Sequence, residues 1–262
     1  MGRKLIMAEL TAARPAQGEQ DGGRGKGAVG STLPNVRGLL FDVGGVLYDD
    51  TVWRRWLMRL LSHLGLRAHY SSFFRALDSE YMVGVYTGRE TFYQAFSRFL
   101  GSAGLSLGQI DEVLAACQGR RRELEESTRP LPGVRGTLAR LRKRGMKLGV
   151  LSDSELPATE IRARLEQFAA ADTFCAVVTS FDVGCVKATP ICYQRTLRQM
   201  GLPAEQVAYV GHDPAALQSA RRMGMATVAF NAPGGTVTDV HLDRFEQLAE
   251  ILPPAGRLKA AG

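Results

Sequence analysis

"GLLFDVGGVLYDD", residues 38–50, decides the architecture. The run from Gly38 to Phe41 does not alternate apolar with polar, which is the pattern of a strand buried on both faces of a parallel sheet. It stops at a single carboxylate, Asp42, followed by Gly44 and Gly45. An aspartate at a strand mouth is open to two readings. One is a plain turn; the other is a nucleophile that needs backbone amides close beside it.

Working outward, four more stretches carry the same texture: KLGVLSDS (147–154), FCAVVTS (174–180), QVAYVGHD (206–213) and ATVAFN (226–231). Helical patterns separate them, namely VRGTLARLRKRG, ELPATEIRARLEQFA, PICYQRTLRQMG and PAALQSARRMG, and HLDRFEQLAEIL is expected as a closing helix. Strands alternating with helices of this length imply β-α-β units, hence an α/β fold with an open parallel, Rossmann-like sheet. Between the first strand and the break at Arg129-Pro130-Leu131-Pro132-Gly133 the periodicity is helical throughout. VWRRWLMRLLSHLG, SSFFRALDSEYMVG, RETFYQAFSRFLG and SLGQIDEVLAACQGRRREL each repeat apolar residues at i, i+3 or i+4. The expected organisation is a disordered tail over 1–33, a core domain over 34–50 and 130–252, a helical cap domain over 51–129, and a C-terminal tail over 253–262. The first tail is read from GEQDGGRGKGAVGST, a composition with too little apolar surface to offset its ordering entropy.

Composition narrows the function classes. The chain has 262 residues, with 33 Lys and Arg against 26 Asp and Glu, a formal net charge of +7. The arginines are spread along amphipathic segments without interleaved aromatics, so solvated helix faces are expected and nucleic acid is not. Arg54 and Arg55 are read as such a face. Trp53, Trp56, Phe73, Phe74 and Tyr81 recur at helical spacing and read as core. No stretch nears 18 consecutive apolar residues, and the N-terminus lacks a secretory pattern, so no membrane association is expected. Cys117, Cys175, Cys185 and Cys192 show no metal-ligand spacing and read as free thiols in a reducing cytoplasm.

In an open α/β sheet, residues just past the strands gather in one crevice. That brings together Asp42, Ser152 with Asp153, His212 with Asp213, and Lys187 from the loop SFDVGCVKATP. A carboxylate attacks phosphorus to form an acyl phosphate in aspartyl-phosphate enzymes. Gly44 and Gly45 would bring amides to the phosphoryl oxygens, while Ser152 and Lys187 would bind them and offset their charge. A magnesium ion between Asp42 and a second acid would let two anions approach. Ser152 and Asp153 also read as helix caps, and Lys187 as a surface lysine.

FDVGGVLYD around Asp42, VLSDS around Ser152, GCVKATPICY around Lys187 and VAYVGHDPAALQSARRMGMATVAF around His212 occur in the order and spacing of one family. Over residues 36–232 the chain resembles the haloacid dehalogenase superfamily, with the helical block in the place of its cap. The resemblance implies a hydrolase of a small phosphorylated metabolite. Asp42, Ser152 and Lys187 would be the catalytic residues, and Mg2+ would be held by Asp42, the Gly44 carbonyl and Asp213. Three positions depart from the family's phosphatases. Gly44 stands where a second, proton-transferring aspartate is usual; His212 and Ala216 replace the acids of the last motif. Asp49, Asp50 and His212 are the substitute acids at hand. Two other readings stand beside the phosphatase: a metal-independent haloacid dehalogenase, and a catalytically silent binding module.

Overall fold

The computed structural model describes residues 32–254. Most of the first tail and of the last lies outside the described residues. The chain divides into two compact units, one holding Asp50–Thr128 and the other the segments that end at Asp49 and resume at Arg129.

The second unit is built on one parallel sheet. Its strands are β1 (Gly38–Phe41), β2 (Lys147–Ser152), β3 (Ala176–Thr179), β4 (Val207–Gly211), β5 (Ala226–Phe230) and β6 (Val240–Leu242), in the order β3-β2-β1-β4-β5-β6. This is the doubly wound order, whose switch point flanks β1. Successive residues of β1 face opposite sides: Leu39 and Phe41 enter a cluster with Val134, Leu138, Val150 and Val210, while Leu40 packs with Tyr193, Met200, Tyr209 and Leu217. Both layers are fully buried, which is why the strand reads as a continuous apolar run rather than as an alternation.

The register fixes what meets at the carboxyl edge. Phe41 pairs with Val150 of β2 and with Val210 of β4. Asp42 therefore leaves β1 level with Leu151 and Gly211, and Ser152 and His212 lie one residue further out.

Two expectations are corrected here. The closing helix is instead strand β6, which pairs Val240 with Val228 and Leu242 with Phe230, followed by a 3-10 turn over Phe245–Ala249. Thr227 explains the strand: its amide and hydroxyl donate to Asp239 at 2.8 and 2.7 Å, tying the segment before β6 to β5. Phe245 and Leu248, three apart and both buried, fit three residues per turn as well as they fit an α-helix. The second is Leu33, counted with the tail from the sequence. The Leu33 amide donates to Ile251 O at 2.8 Å, and Leu33 packs on the core.

The first unit is helical: Thr51–His63, Tyr70–Ala76 continued by a π-turn over Leu77–Tyr81, Val83–Tyr86, Phe92–Ser102 and Leu107–Glu126. Thr91 with Gln94 and Ser106 with Gln109 form capping boxes that start the last two. Its core joins Leu57, Leu61, Phe73, Phe74, Phe96 and Phe99, with Trp53, Trp56 and Tyr81 packed partly against it. Arg54 is not a solvated face residue. Its guanidinium sits 4.8 Å over Phe74 and binds Asp78 at 3.0 Å, which raises its pKa despite burial.

The two chain crossings into and out of the helical unit lie side by side. The Asp49 amide donates to Arg129 O at 3.1 Å, the Leu131 amide to Leu47 O at 3.0 Å, and Tyr48 and Pro130 form an antiparallel bridge.

Candidate active site

Asp42 is 4% exposed and Lys187 7%. Their side chains meet, Lys187 Nζ donating to Asp42 Oδ2 at 2.7 Å. The other carboxylate oxygen, Oδ1, accepts the Val43 amide at 2.8 Å. Burial acts to raise the Asp42 pKa; the ammonium of Lys187, helped by His212 and the Val43 amide, outweighs it and holds the carboxyl below its usual value. Burial likewise acts against the Lys187 charge, and Asp42 overcomes it, leaving the ammonium well above its usual pKa. The pair is ionised, and Asp42 is a carboxylate.

Lys187 is placed by its backbone. Its amide donates to Asp153 Oδ1 at 2.8 Å, so the residue following Ser152 orients the loop that delivers the lysine. Burial raises the Asp153 pKa against the attraction of Lys187. The sequence places Asp153 in the crevice beside Ser152 and gives it no role there beyond a candidate cap. It caps nothing: the helix Ala158–Glu166 begins after Pro157, and its first amide is taken by Asp182 Oδ2 at 2.7 Å. Ser152 does not cap that helix either. It ends β2, 7% exposed, its hydroxyl donating to Asp153 O at 3.3 Å.

The turn after Asp42 is shaped by Gly45, whose φ of +69° lies in the left-handed region. Its amide donates to Tyr48 O at 2.9 Å. Of the two glycine amides expected to face a ligand, this one is therefore committed to the turn. Asn231, at the end of β5, donates to Gly45 O at 2.9 Å and fixes the turn from the other side. The sequence reading missed Asn231; its only signal was a polar side chain directly after a buried strand. A Cβ on Gly45 would stand 3.4 Å from His212 Nδ1, in ordinary contact with that ring, so the positive φ is what calls for glycine here.

His212 Nδ1 lies 3.8 Å from Asp42 Oδ2. That nitrogen is buried and makes no hydrogen bond, although 41% of the side chain is exposed. Asp213 begins the helix Pro214–Arg222, its Oδ1 accepting Ala215 N at 3.1 Å and its Oδ2 Ala216 N at 3.2 Å. It is a helix N-cap.

Magnesium takes oxygen ligands and is held by one or two carboxylates beside substrate phosphate. Around Asp42 stand an ammonium and an imidazole nitrogen instead. Both oxygens of Asp213 are engaged with helix amides, and Gly44 offers its backbone carbonyl but no side-chain ligand. Among the described residues no three His, Cys, Asp or Glu side chains gather as a metal site. This donor set does not fit the ion, and no step below runs through it.

The class so defined is an open α/β protein with an ionised aspartate–lysine pair at the switch point of its sheet. A family model described as haloacid dehalogenase-like hydrolase matches residues 36–224, and the chain belongs to that family. Hexitol phosphatase A of Escherichia coli (strain K12) is 24% identical over 229 residues, spanning 84% of this chain and 96% of that protein. A phosphoglycolate phosphatase of Yersinia pseudotuberculosis serotype I (strain IP32953) is 25% identical over 230 residues, spanning 84% and 94%. Among solved structures, a HAD-superfamily hydrolase of subfamily IA from Geobacter sulfurreducens PCA superposes with a TM-score of 0.60 at 20% identity, over 84% of this chain and 97% of that one. A 2-haloacid dehalogenase from Pseudomonas syringae pv. Tomato DC3000 does so with a TM-score of 0.53 at 20% identity, over 82% and 97%. These two likenesses concern the fold alone.

Proposed function

We propose that the protein hydrolyses the phosphate monoester of a small metabolite through an aspartyl-phosphate on Asp42. The observation that carries this reading is the ion pair at the carboxyl end of β1, which keeps Asp42 ionised and places a cation beside it. The two curated relatives named above are phosphatases, which supports it.

In the first step Asp42 attacks phosphorus, forming an O–P bond to the carboxylate while the bond to the ester oxygen breaks. Lys187 and the hydroxyl of Ser152 bind the phosphoryl oxygens, and the Gly44 amide is the glycine donor left for them. His212, with an unpaired ring nitrogen on the Asp42 side, delivers the proton that Gly44 cannot supply to the leaving oxygen. Water then attacks the acyl phosphate, with His212 accepting its proton, and Asp42 is regenerated.

Magnesium, expected from the resemblance, has no side-chain cage here beyond Asp42, so the cationic role falls to Lys187. That same donor set favours a second reading, metal-free displacement of halide from a haloacid by Asp42. One assay separates the two: the purified protein is incubated with a panel of phosphate esters and with 2-haloacids, and phosphate and halide are measured. Phosphate release that is lost in Asp42→Asn supports the proposal; halide release alone replaces it with the second reading. Among the described residues no helix is long and apolar enough to cross a membrane, and four free cysteines accord with a cytoplasmic place.

A further inference from the structure

Two cysteines bracket the lysine. Cys185 and Cys192 are free, and their sulfurs lie 3.5 Å apart. Cys185 is partly exposed in the loop that carries Lys187; Cys192 is buried in the first turn of the helix Pro190–Met200. The segment between them is held as a tight turn. The Cys192 thiol donates to Cys185 O at 2.9 Å, and Val186 O accepts both the amide and the hydroxyl of Thr189, at 2.9 and 2.8 Å. Among the described residues these are the two sulfurs recorded in contact, and Lys187 lies on the segment that joins them.

We propose that Cys185 and Cys192 form a peroxide-driven disulfide whose closure draws Lys187 away from Asp42 and silences the site. A disulfide needs sulfurs about 2.05 Å apart, so closure moves them together by roughly 1.5 Å from their present contact. The ion pair tolerates little of that, since a hydrogen bond of this kind spans only about 2.7–2.9 Å. Lys187 is two residues from Cys185 and its amide hangs on Asp153, so the displacement acts on both of its anchors.

The chemistry balances with hydrogen peroxide as oxidant. The Cys185 thiolate attacks one peroxide oxygen, the O–O bond breaks, and Cys185 becomes a sulfenic acid with release of hydroxide. The Cys192 sulfur then displaces the hydroxyl group from the Cys185 sulfur as water, forming the S–S bond. In sum, two thiols and one peroxide give one disulfide and two waters. Cys185 reacts first because it is the accessible one. Burial pushes the Cys192 thiol up to about 12, so it is not the thiol that meets peroxide first, and its contact with the Cys185 sulfur places it for the second, resolving step.

The effect on turnover rests on the proposed phosphatase reading; the disulfide does not. The full chain carrying Cys175→Ser, to remove the exposed thiol, is treated with hydrogen peroxide and digested with trypsin without reductant. Trypsin cuts after Lys187, so a bridge leaves two peptides joined through Cys185 and Cys192, separable by dithiothreitol. In parallel, hydrolysis of an aryl phosphate is followed, with an expected loss of roughly 10²-fold that dithiothreitol restores. Cys185→Ser should keep its activity in peroxide and yield no joined peptides, and Cys192→Ala should stop at the sulfenic acid. Peptides that stay unjoined after peroxide overturn the proposal, and so does a joined pair in a protein of undiminished turnover. If the reduced protein hydrolyses no ester, the phosphatase reading fails. The switch is then judged by the joined peptides and by whether they abolish binding of inorganic vanadate.

Discussion

His212 Nδ1 faces Asp42 Oδ2 across 3.8 Å without a hydrogen-bond partner of its own. A buried polar atom left unsatisfied costs about 1–3 kcal/mol, and this one faces the Asp42 carboxylate. A phosphoryl oxygen or leaving-group oxygen bound beside Asp42 would supply the missing partner.

His212→Asp should bring magnesium into the site by placing a second carboxylate beside Asp42. Melting curves with and without the ion should show a rise for the variant that grows with concentration, as mass action requires, and little change for the wild type. Equal rises in the two proteins would mean that a ligand set away from position 212 holds the ion.

The buried pair should show strong coupling. Removing one partner leaves an uncompensated buried charge, which typically costs about 3–5 kcal/mol. Urea titrations should therefore find Asp42→Asn and Lys187→Met each strongly destabilised, and the double variant less so than their sum. The pH dependence has a definite sign. Asp42 is depressed, so its contribution is complete above about pH 4 and fades as pH falls through its folded value. Lys187 is raised, so its contribution is complete below about pH 10 and is lost as pH climbs through its folded value. The stability difference between wild type and double variant should be flat between those limits and change outside them.

Asp153 is expected to act by position. Asp153→Ala leaves the Lys187 amide without its acceptor and should lower kcat roughly tenfold, in line with about 1–3 kcal/mol for an unmet donor. Asp153→Asn keeps an acceptor oxygen and should recover most of that loss. A residue that served only general stability would lower the melting temperature of both variants without this split in kcat.

Leaving groups should discriminate sharply. General acid catalysis is worth roughly 10²–10⁴-fold, and with no acid at position 44 it falls on His212 alone, whose ring nitrogen stands 3.8 Å from the nucleophile. Aryl phosphates, which need little protonation, should be turned over far better than alkyl phosphates. Gly44 is not among the residues of positive φ, so Gly44→Asp is allowed by the backbone and should raise alkyl turnover selectively. Gly45→Ala, by contrast, is strained at φ +69° and meets the His212 ring; it should cost about 1–2 kcal/mol and lower both activities.

Much of the core was legible because burial on both faces writes itself as unbroken apolar runs. GLLF, GVL and VAYV announce β1, β2 and β4, and the parallel register then brings Asp42, Ser152 and His212 to one edge. What was hidden depended on tertiary partners. β6 is a three-residue edge strand whose stabilising bonds come from Thr227 to Asp239, so its local pattern resembled a helix. Asp153 and Asn231 matter through single bonds to the Lys187 amide and to Gly45 O, contacts made across 34 and 186 residues of chain. No local pattern encodes such pairings. Asp213 was legible only as an acid near the site; the two helix amides it caps depend on where Pro214 starts the helix.

The bond from the Asp49 amide to Arg129 O makes the helical unit a guest with a narrow doorway. A polypeptide of 79 residues, Asp50–Thr128, leaves and re-enters the sheet-bearing unit at neighbouring points, so its insertion asks for two ends at that spacing. Any folded segment with adjacent termini meets that condition. Selection can then exchange the guest while the Asp42–Lys187 pair stays untouched.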